Sequence, residues 1–249
     1  MSKAMLIDTS NCLFCNACTV ECKRENDVVV GKQIFWTEML THEVGQYPNV
    51  RQYYHKRACN HCTEAACVDV CTTGALYHHP DGFVVLDQSK CNGCGYCAQA
   101  CPFHIPQLDV ANPFTGEAKS NKCTFCVQRT ANGGATACSL ACPFGAIHYG
   151  DRGELIALGK ERVAALKARG VAKAGLYGEH ELGGLHVLYV LEAEPEVYDL
   201  PSDPRYPFVV TLWQRVVQPV GQGIFGASIV GILAALLAVR SRIRMEEVE

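Results

Sequence analysis

The longest run of apolar residues lies in the C-terminal part of the chain. Residues 216–239 contain no charged side chain and are rich in Ile, Leu, Val, Ala and Gly. A helix needs about 20 consecutive apolar residues to cross a bilayer core, so this run predicts one transmembrane helix over residues 213–240. A buried core helix of a soluble domain is the alternative, but the rest of the chain leaves little for such a helix to pack against.

Charged residues flank this apolar run unevenly, and the asymmetry predicts its orientation. Three arginines follow the run, whereas one arginine precedes it beside an interfacial tryptophan. Because positive residues stay on the cytoplasmic side, we expect a single-pass inner-membrane protein with a cytoplasmic tail, residues 241–249, and a periplasmic N-terminal part. The flanking residues are Trp213 and Arg215 before the run, and Arg240, Arg242 and Arg244 after it.

Small residues recur every four positions in the predicted span. Such stripes allow close contact between two helices in lipid, so we expect this face to dock against another membrane subunit. A chance arrangement in a Gly- and Ala-rich anchor is the alternative. The stripe consists of Gly223, Ala227, Gly231 and Ala235.

Shorter patterned segments precede the span. Residues 159–170 predict a short amphipathic helix that ends at Gly170, and residues 185–191 predict an apolar strand. The apolar run 83–86 follows a Pro-Asp-Gly turn and predicts a hairpin. Residues 151–212 contain no cysteine, and we expect this segment to pack on the N-terminal part or on a partner.

Composition and charge exclude several classes of protein. The chain has 249 residues, of which 49% are apolar and 19% are charged, so it is neither disordered nor fibrous. The net charge of -3 gives no basic field that would attract a nucleic acid, and we expect no nucleic-acid partner.

The 16 cysteines form four groups of four and leave none over. Disulfides between residues three apart would close very small, strained loops. Zinc sites usually pair two CxxC units that are well separated, and only the fourth group has a long internal gap. The groups are Cys12, Cys15, Cys18 and Cys22; Cys59, Cys62, Cys67 and Cys71; Cys91, Cys94, Cys97 and Cys101; and Cys123, Cys126, Cys138 and Cys142.

The spacing within these groups indicates iron–sulfur clusters. The first and third groups read CxxCxxCxxxC, and Pro102 follows Cys101, which is the bacterial ferredoxin pattern for [4Fe–4S] clusters. Sixteen thiolates at four per cluster predict four [4Fe–4S] clusters. Because clusters in so small a body lie close together, we expect a chain of one-electron carriers without a catalytic residue of its own.

An internal repeat predicts how the four motifs combine. The second and third motifs, joined by the predicted hairpin, form one ferredoxin-like unit. The lead-in to Cys12 repeats the lead-in to Cys91, and the exit from Cys142 repeats the exit from Cys71. The first and fourth motifs therefore form a second unit across space. We predict an α+β fold of two interlocked ferredoxin-like di-cluster units with long loops over residues 1–150, followed by the transmembrane helix.

The repeat also assigns ligands, because the fourth cysteine of a ferredoxin motif binds the neighbouring cluster. We name the four predicted sites A to D. Site A takes Cys12, Cys15, Cys18 and Cys142; site B takes Cys123, Cys126, Cys138 and Cys22; site C takes Cys59, Cys62, Cys67 and Cys101; and site D takes Cys91, Cys94, Cys97 and Cys71.

One residue departs from the repeat. Thr72 follows Cys71, whereas proline follows both Cys101 and Cys142. Proline has no N–H, so Thr72 adds a donor and a hydroxyl. We predict that a hydrogen bond there raises the potential of the cluster bound by Cys71; a solvent-facing loop threonine is the alternative.

Other polar residues near the motifs are expected to have ordinary roles. His186 and the pair His78 and His79 are expected in the core or at an interface, rather than as ligands or proton carriers. Lys122 and Arg129 are expected to be solvated or interfacial.

The first eight residues carry neither an extended apolar segment nor a twin arginine, so no export signal is predicted there. Because clusters are inserted before transport, we expect export in association with a partner that carries a signal for folded cargo.

The order of the four motifs resembles the four-cluster subunits of molybdenum and tungsten oxidoreductases. Residues 149–152, 161–167, 174–177 and 183–190, with one C-terminal span, resemble the beta subunit of membrane-bound respiratory formate dehydrogenase. The resemblance implies a large molybdopterin subunit that oxidises formate and a membrane cytochrome b subunit that passes electrons to quinone. It implies the same ligand sets for all sixteen cysteines, with Thr72 as a departure from the usual proline.

Two other functions remain open. The same carrier could serve a nickel–iron hydrogenase or a different molybdopterin oxidoreductase. A structural metal-binding protein without redox work is the second alternative, and iron and acid-labile sulfide at about sixteen each per chain would exclude it.

Overall fold

The computed structural model describes residues 2–112, 117–212 and 216–242. Its contacts divide the chain into two compact units, Met1–Tyr206 and Pro207–Glu249. The helices are α1 (Ala17–Glu25), α2 (Ala66–Asp69), α3 (Tyr96–Ala100), α4 (Val127–Thr130), α5 (Ala137–Ala141), α6 (Arg152–Ala168), α7 (Phe208–Leu212) and α8 (Gln218–Arg242). The strands are β1 (Lys3–Asp8), β2 (Thr37–Val44), β3 (Arg51–Ala58), β4 (Leu76–His78), β5 (Val84–Leu86), β6 (Gln107–Asn112), β7 (Glu117–Asn121), β8 (Ile147–Asp151), β9 (Gly175–Tyr177) and β10 (Val187–Leu191).

A four-stranded sheet in the order β8-β1-β10-β9 organises the first unit. Strand β1 is antiparallel to β8 and parallel to β10. Successive side chains of a strand point to opposite faces: Leu6 and Leu188 pack against α6 on one face, whereas Met5 and Ile7 face the cysteine-rich core on the other. Burial on both faces explains why β1 and β10 are nearly continuous apolar runs.

The cysteine-free segment 151–212 contributes two strands and one helix to this unit. The predicted strand is confirmed as β10, in the middle of the sheet. The predicted helix belongs to α6, which begins earlier than expected, at Arg152. It begins there because the Asp151 side chain accepts a hydrogen bond from Gly153 N at 3.0 Å, an N-cap that the apolar pattern did not reveal.

The predicted hairpin is confirmed as β4 and β5, in which Leu76 lies opposite Leu86. Its turn requires glycine at Gly82, where φ is +98° and an added Cβ would lie 2.2 Å from His186 Cε1. The turn therefore packs closely against the residue that precedes β10.

Two further hairpins, β2–β3 and β6–β7, were not predicted. Their strands carry several charged and polar side chains, as in the sequence RQYYHKRA of β3. This composition hides the alternation of apolar and polar residues that identifies a half-buried strand.

The second unit contains α7 and α8. Residues Pro219–Arg240 of α8 form the one described helix that is long and apolar enough to cross a membrane. The stripe of small residues lies within α8. Trp213, Arg215 and Arg244, on which the predicted orientation partly depends, lie outside the described residues.

Candidate iron–sulfur sites

Three cavities in the first unit are each lined by four cysteines. In every case, three cysteines come from one sequence motif and the fourth comes from another, so the folding of the chain brings distant motifs together. Site A is lined by Cys12, Cys15, Cys18 and Cys142; site B by Cys22, Cys123, Cys126 and Cys138; and site D by Cys71, Cys91, Cys94 and Cys97.

The remaining four cysteines are those of site C, and they also lie near one another. Burial raises the pKa of the Cys62 thiol well above its usual value, and the proximity of the other three thiols raises it further. Those three are Cys59, Cys101 and Cys67.

The loops around the sulfur atoms direct backbone N–H groups at them. Phe125 and Cys126 adopt left-handed backbone conformations, with φ of 61° and 50°, and Phe125 N lies 3.4 Å from Cys123 Sγ. Donors of this kind stabilise anionic sulfur. The other contacts are Gly93 N and Ser120 N with Cys91 Sγ at 3.4 Å, Leu76 N with Cys71 Sγ at 3.4 Å, and Ala146 N with Cys142 Sγ at 3.3 Å.

One side chain adds donors at site B. Asn26 Nδ2 lies 3.8 Å from Cys126 Sγ and 3.9 Å from Cys22 Sγ. Asn26 was not predicted as a site residue, although its position four residues after Cys22, at the end of α1, is a signal for it.

The donor chemistry fits iron–sulfur clusters. The thiols line cavities with apolar walls, to which Ile7 and Met39 contribute at site A and Met5 and Phe125 at site B. In the described ranges, no group of three or more His, Cys, Asp or Glu side chains converges closely enough to hold one metal ion. Four thiols that line one cavity match the ligand set of a [4Fe–4S] cluster.

Burial makes several of these thiols poor acids in the absence of iron. Desolvation raises the pKa of Cys22 to about 12 and that of Cys101 to about 11. These thiols are therefore neutral at pH 7, and binding of a metal cluster must displace their protons. Cys15 of site A and Cys94 of site D are exposed, so these two sites lie near the protein surface.

Two lysines are buried beside the sites, contrary to the expectation for Lys122. The side chain of Lys122 is 0% exposed, and its Nζ donates to Val84 O and Cys123 O at 2.8 Å each. Lys56 is 2% exposed, and it was not predicted as a site residue because it lies in the unpredicted strand β3.

Lys56 lies beside the cysteines of site A. It lines site A, and its Nζ lies 3.4 Å from Thr37 Oγ1. Burial alone would lower the pKa of Lys56, but the negative charge of Cys138 and Cys18 in their thiolate forms outweighs burial, so its pKa lies above its ordinary value.

The hydrogen bond to Cys71 that was predicted for Thr72 is made by a different residue. The hydroxyl that contacts Cys71 Sγ belongs to Thr73, at 3.7 Å. Desolvation raises the pKa of Cys71, but the Leu76 N–H and the Thr73 hydroxyl outweigh it, and the net pKa is lowered. The chain turns after Cys71, which carries the second threonine back to the sulfur.

The other polar residues have the following positions. His186 is buried in the core as expected, with Nδ1 2.7 Å from Lys3 O. His79 stacks on Phe83 with ring centroids 4.5 Å apart, whereas His78 is exposed. Arg129 is partly exposed, as predicted, and forms an ion pair of 3.1 Å with Glu25.

Comparison with known proteins agrees with this chemistry. Residues 50–152 match the family described as the 4Fe-4S dicluster domain, which includes the second, third and fourth motifs. The chain is 37% identical over 248 residues to the nitrate-inducible formate dehydrogenase iron-sulfur subunit of Escherichia coli, with 92% of this chain and 83% of the relative covered. It is 38% identical over 265 residues to the formate dehydrogenase iron-sulfur subunit of Haemophilus influenzae, with 99% and 83% covered.

A relative with another activity is similar over a shorter part. The thiosulfate reductase electron transfer subunit of Salmonella typhi is 42% identical over 147 residues, with 59% of this chain and 74% of the relative covered. The formate dehydrogenase subunits, in contrast, are similar over more than nine-tenths of the chain. The chain therefore belongs to the family of formate dehydrogenase iron–sulfur subunits, as an electron-transfer component rather than a catalytic one.

Proposed function

We propose that the chain carries electrons from formate oxidation in a molybdenum or tungsten catalytic subunit, through four [4Fe–4S] clusters, to a membrane cytochrome b subunit that serves quinone. The observation that carries this proposal is the set of cavities lined by cysteines from two motifs each. When bound, the clusters supply one-electron transfer. The chain itself binds them, excludes water with apolar walls and directs N–H groups at sulfur.

The proposed ligand sets are those of sites A to D, for all sixteen cysteines. Sites A, B and D are supported by the cavities. Site C is supported by the proximity of its other three thiols to Cys62, whose pKa they raise. The division into two interlocked units is supported by two equivalent strand pairs, β4 with β5 and β1 with β8. The first pair joins the second and third motifs, and the other joins the fourth and first.

The partners are proposed from the relatives. The two formate dehydrogenase relatives are named as subunits, which supports a large molybdopterin catalytic partner for this chain. The similarity to the thiosulfate reductase subunit favours a different molybdopterin reductase as the second candidate. A nickel–iron hydrogenase partner is a further outcome of the test below.

The membrane contact is proposed from α8. Its 22-residue segment Pro219–Arg240 is apolar and exposed along its length, which supports a single span that reaches lipid and the cytochrome b subunit. The arginines that follow the apolar run support a cytoplasmic C-terminus and a periplasmic cluster domain, because positive residues are retained on the cytoplasmic side.

Anaerobic purification through a tag on this chain tests the proposal. We expect about sixteen iron and sixteen sulfide per chain, a co-purifying molybdopterin subunit, and reduction of the b-type haem by formate. A colourless, zinc-loaded protein would overturn the cluster assignment. A co-purifying hydrogenase subunit, or reduction of the haem by hydrogen but not by formate, would overturn the formate assignment alone.

A further inference from the structure

Lys56 is a buried ammonium group that lies between sites A and B. It is 2% exposed and lies on β3, opposite Met39 of β2. Its side chain lines site A together with the four cysteines of that site. Its Nζ lies 3.4 Å from Oγ1 of Thr37, a residue that lines site B. One cation is therefore shared by two neighbouring cavities.

The surroundings of Lys56 provide little to balance its charge. Its Nζ has one hydrogen-bond partner in the described chain, Thr37 Oγ1 at 3.4 Å. Among the described residues, no carboxylate lies within 4.0 Å of this nitrogen. The buried Lys122 differs, because two carbonyl oxygens accept from it at 2.8 Å.

A buried charge is costly unless an opposite charge or several hydrogen bonds compensate it. Neutral thiols do not compensate an ammonium group, whereas four thiolates around a [4Fe–4S] core leave a net negative charge. The position of Lys56 is therefore explained by anionic groups in site A, which it lines, and in site B, which its partner Thr37 lines.

We propose that the Lys56 ammonium is a fixed positive charge that raises the reduction potentials of the clusters at sites A and B more than those of the clusters at sites C and D. This inference rests on the proposed function, which assigns a cluster to each site. Reduction adds one electron to a cluster, and no bond forms or breaks. Because the added charge is negative, a nearby cation stabilises the reduced state more than the oxidised state, and the effect is large where water is excluded.

Four variants of the intact complex test the inference. Lys56→Met removes the charge and keeps the length of the side chain, and Lys56→Gln removes the charge but keeps a hydrogen-bond donor. Lys56→Arg keeps the charge. Lys173→Met is the matched control, because this lysine is 69% exposed and lies in the cysteine-free segment.

The measurement is an anaerobic redox titration with dithionite and mediator dyes, followed by electron paramagnetic resonance. Signals are assigned to sites with Cys→Ser variants. In both neutral variants, we expect the reduction equilibrium constants at sites A and B to fall at least tenfold, which is a potential about 59 mV more negative per tenfold for one electron. Lys56→Arg and the control keep the potentials of the natural protein.

Several results would overturn the inference. These are unchanged potentials in iron-replete Lys56→Met or Lys56→Gln, an equal shift at all four sites, or failure of Lys56→Arg to retain the potentials. Loss of iron from both neutral variants but not from Lys56→Arg would also overturn it, because the charge would then serve assembly. Failure of the proposed function is distinct, since it would show as missing iron in the unsubstituted protein.

Discussion

Ile7 of β1 lies opposite Ile147 of β8 in an antiparallel pair. Cys12 follows Ile7 by five residues, and Cys142 precedes Ile147 by five residues. The hairpin repeats this arrangement: Leu86 lies opposite Leu76, Cys91 follows five residues later, and Cys71 precedes by five. The same strand pairing thus brings a fourth cysteine beside the three of another motif at sites A and D, once within a hairpin and once between the two ends of the cluster region.

This relationship predicts different effects for two neighbouring cysteines of the fourth motif. Cys142 lines site A, whereas Cys138, one helical turn earlier, lines site B. We expect Cys142→Ser to remove or alter the signal of the cluster held by Cys12, Cys15 and Cys18, with loss of up to about four iron per chain. Cys138→Ser should affect the other cluster. Iron analysis and electron paramagnetic resonance of the purified complex measure both effects.

Each cysteine variant is the control for the other. The ligand sets would be wrong if Cys142→Ser and Cys138→Ser changed the same signal. They would also be wrong if Cys142→Ser altered the cluster of Cys123 and Cys126 and left that of Cys12 intact.

The sequence predicted iron–sulfur chemistry at the cysteine motifs because the spacing of the ligands within a motif is a local feature of the chain. It also predicted the β4–β5 hairpin and β10, whose apolar runs are strong. It missed β2 and β3, since their charged residues obscure the strand pattern, and it therefore missed Lys56. Burial of Lys122 and the contact of Thr73 with Cys71 depend on how the chain turns after each motif, which neither spacing nor composition records.

The contact of Thr73 with Cys71 predicts an effect on the cluster at site D. The hydroxyl lies 3.7 Å from Cys71 Sγ, and a hydrogen bond to sulfur stabilises the reduced cluster. A net hydrogen bond of about 1 kcal/mol corresponds to about 40 mV for one electron, so Thr73→Val should make this potential more negative by that amount. Thr72→Val is the matched control in a redox titration. An equal shift in both variants would contradict a specific role for Thr73.

His55 predicts a dependence of stability on pH. Burial, with a smaller effect of nearby His42, lowers the pKa of His55 to about 3, whereas an unfolded histidine titrates near pH 6.5. Between pH 6.5 and 3 the unfolded chain binds a proton that the folded chain does not. The contribution of His55 to the free energy of unfolding is therefore fully present above pH 7. It falls on acidification, by about 1.4 kcal/mol at pH 5.5.

Replacement of His55 by phenylalanine isolates this effect. His55→Phe should keep the packing against Tyr189, whose ring centroid is 5.5 Å away, and reduce the difference between urea midpoints at pH 7.5 and 5.5. His180→Gln is the control, since that side chain is 87% exposed. The midpoints are those for loss of the visible cluster absorbance. An undiminished difference in His55→Phe would show that other groups cause the acid sensitivity.

The boundary between the two compact units predicts the result of a truncation. The first unit ends at Tyr206, and the sixteen cysteines all precede that residue. A chain that stops after Tyr206 should therefore keep about sixteen iron. It should also be released from the membrane, because it lacks the apolar segment Pro219–Arg240. Both chains are expressed without the membrane partner, so that α8 alone determines attachment, and fractions are compared after an alkaline carbonate wash.

Ala227→Leu in the full-length chain is the control, since it changes α8 but leaves it long and apolar enough to span a bilayer. We expect this variant and the unsubstituted chain to stay in the washed membrane pellet. Release of the full-length chain by carbonate would show that α8 does not anchor it. Loss of iron in the truncated chain would show that the first unit needs residues beyond Tyr206 to hold its clusters.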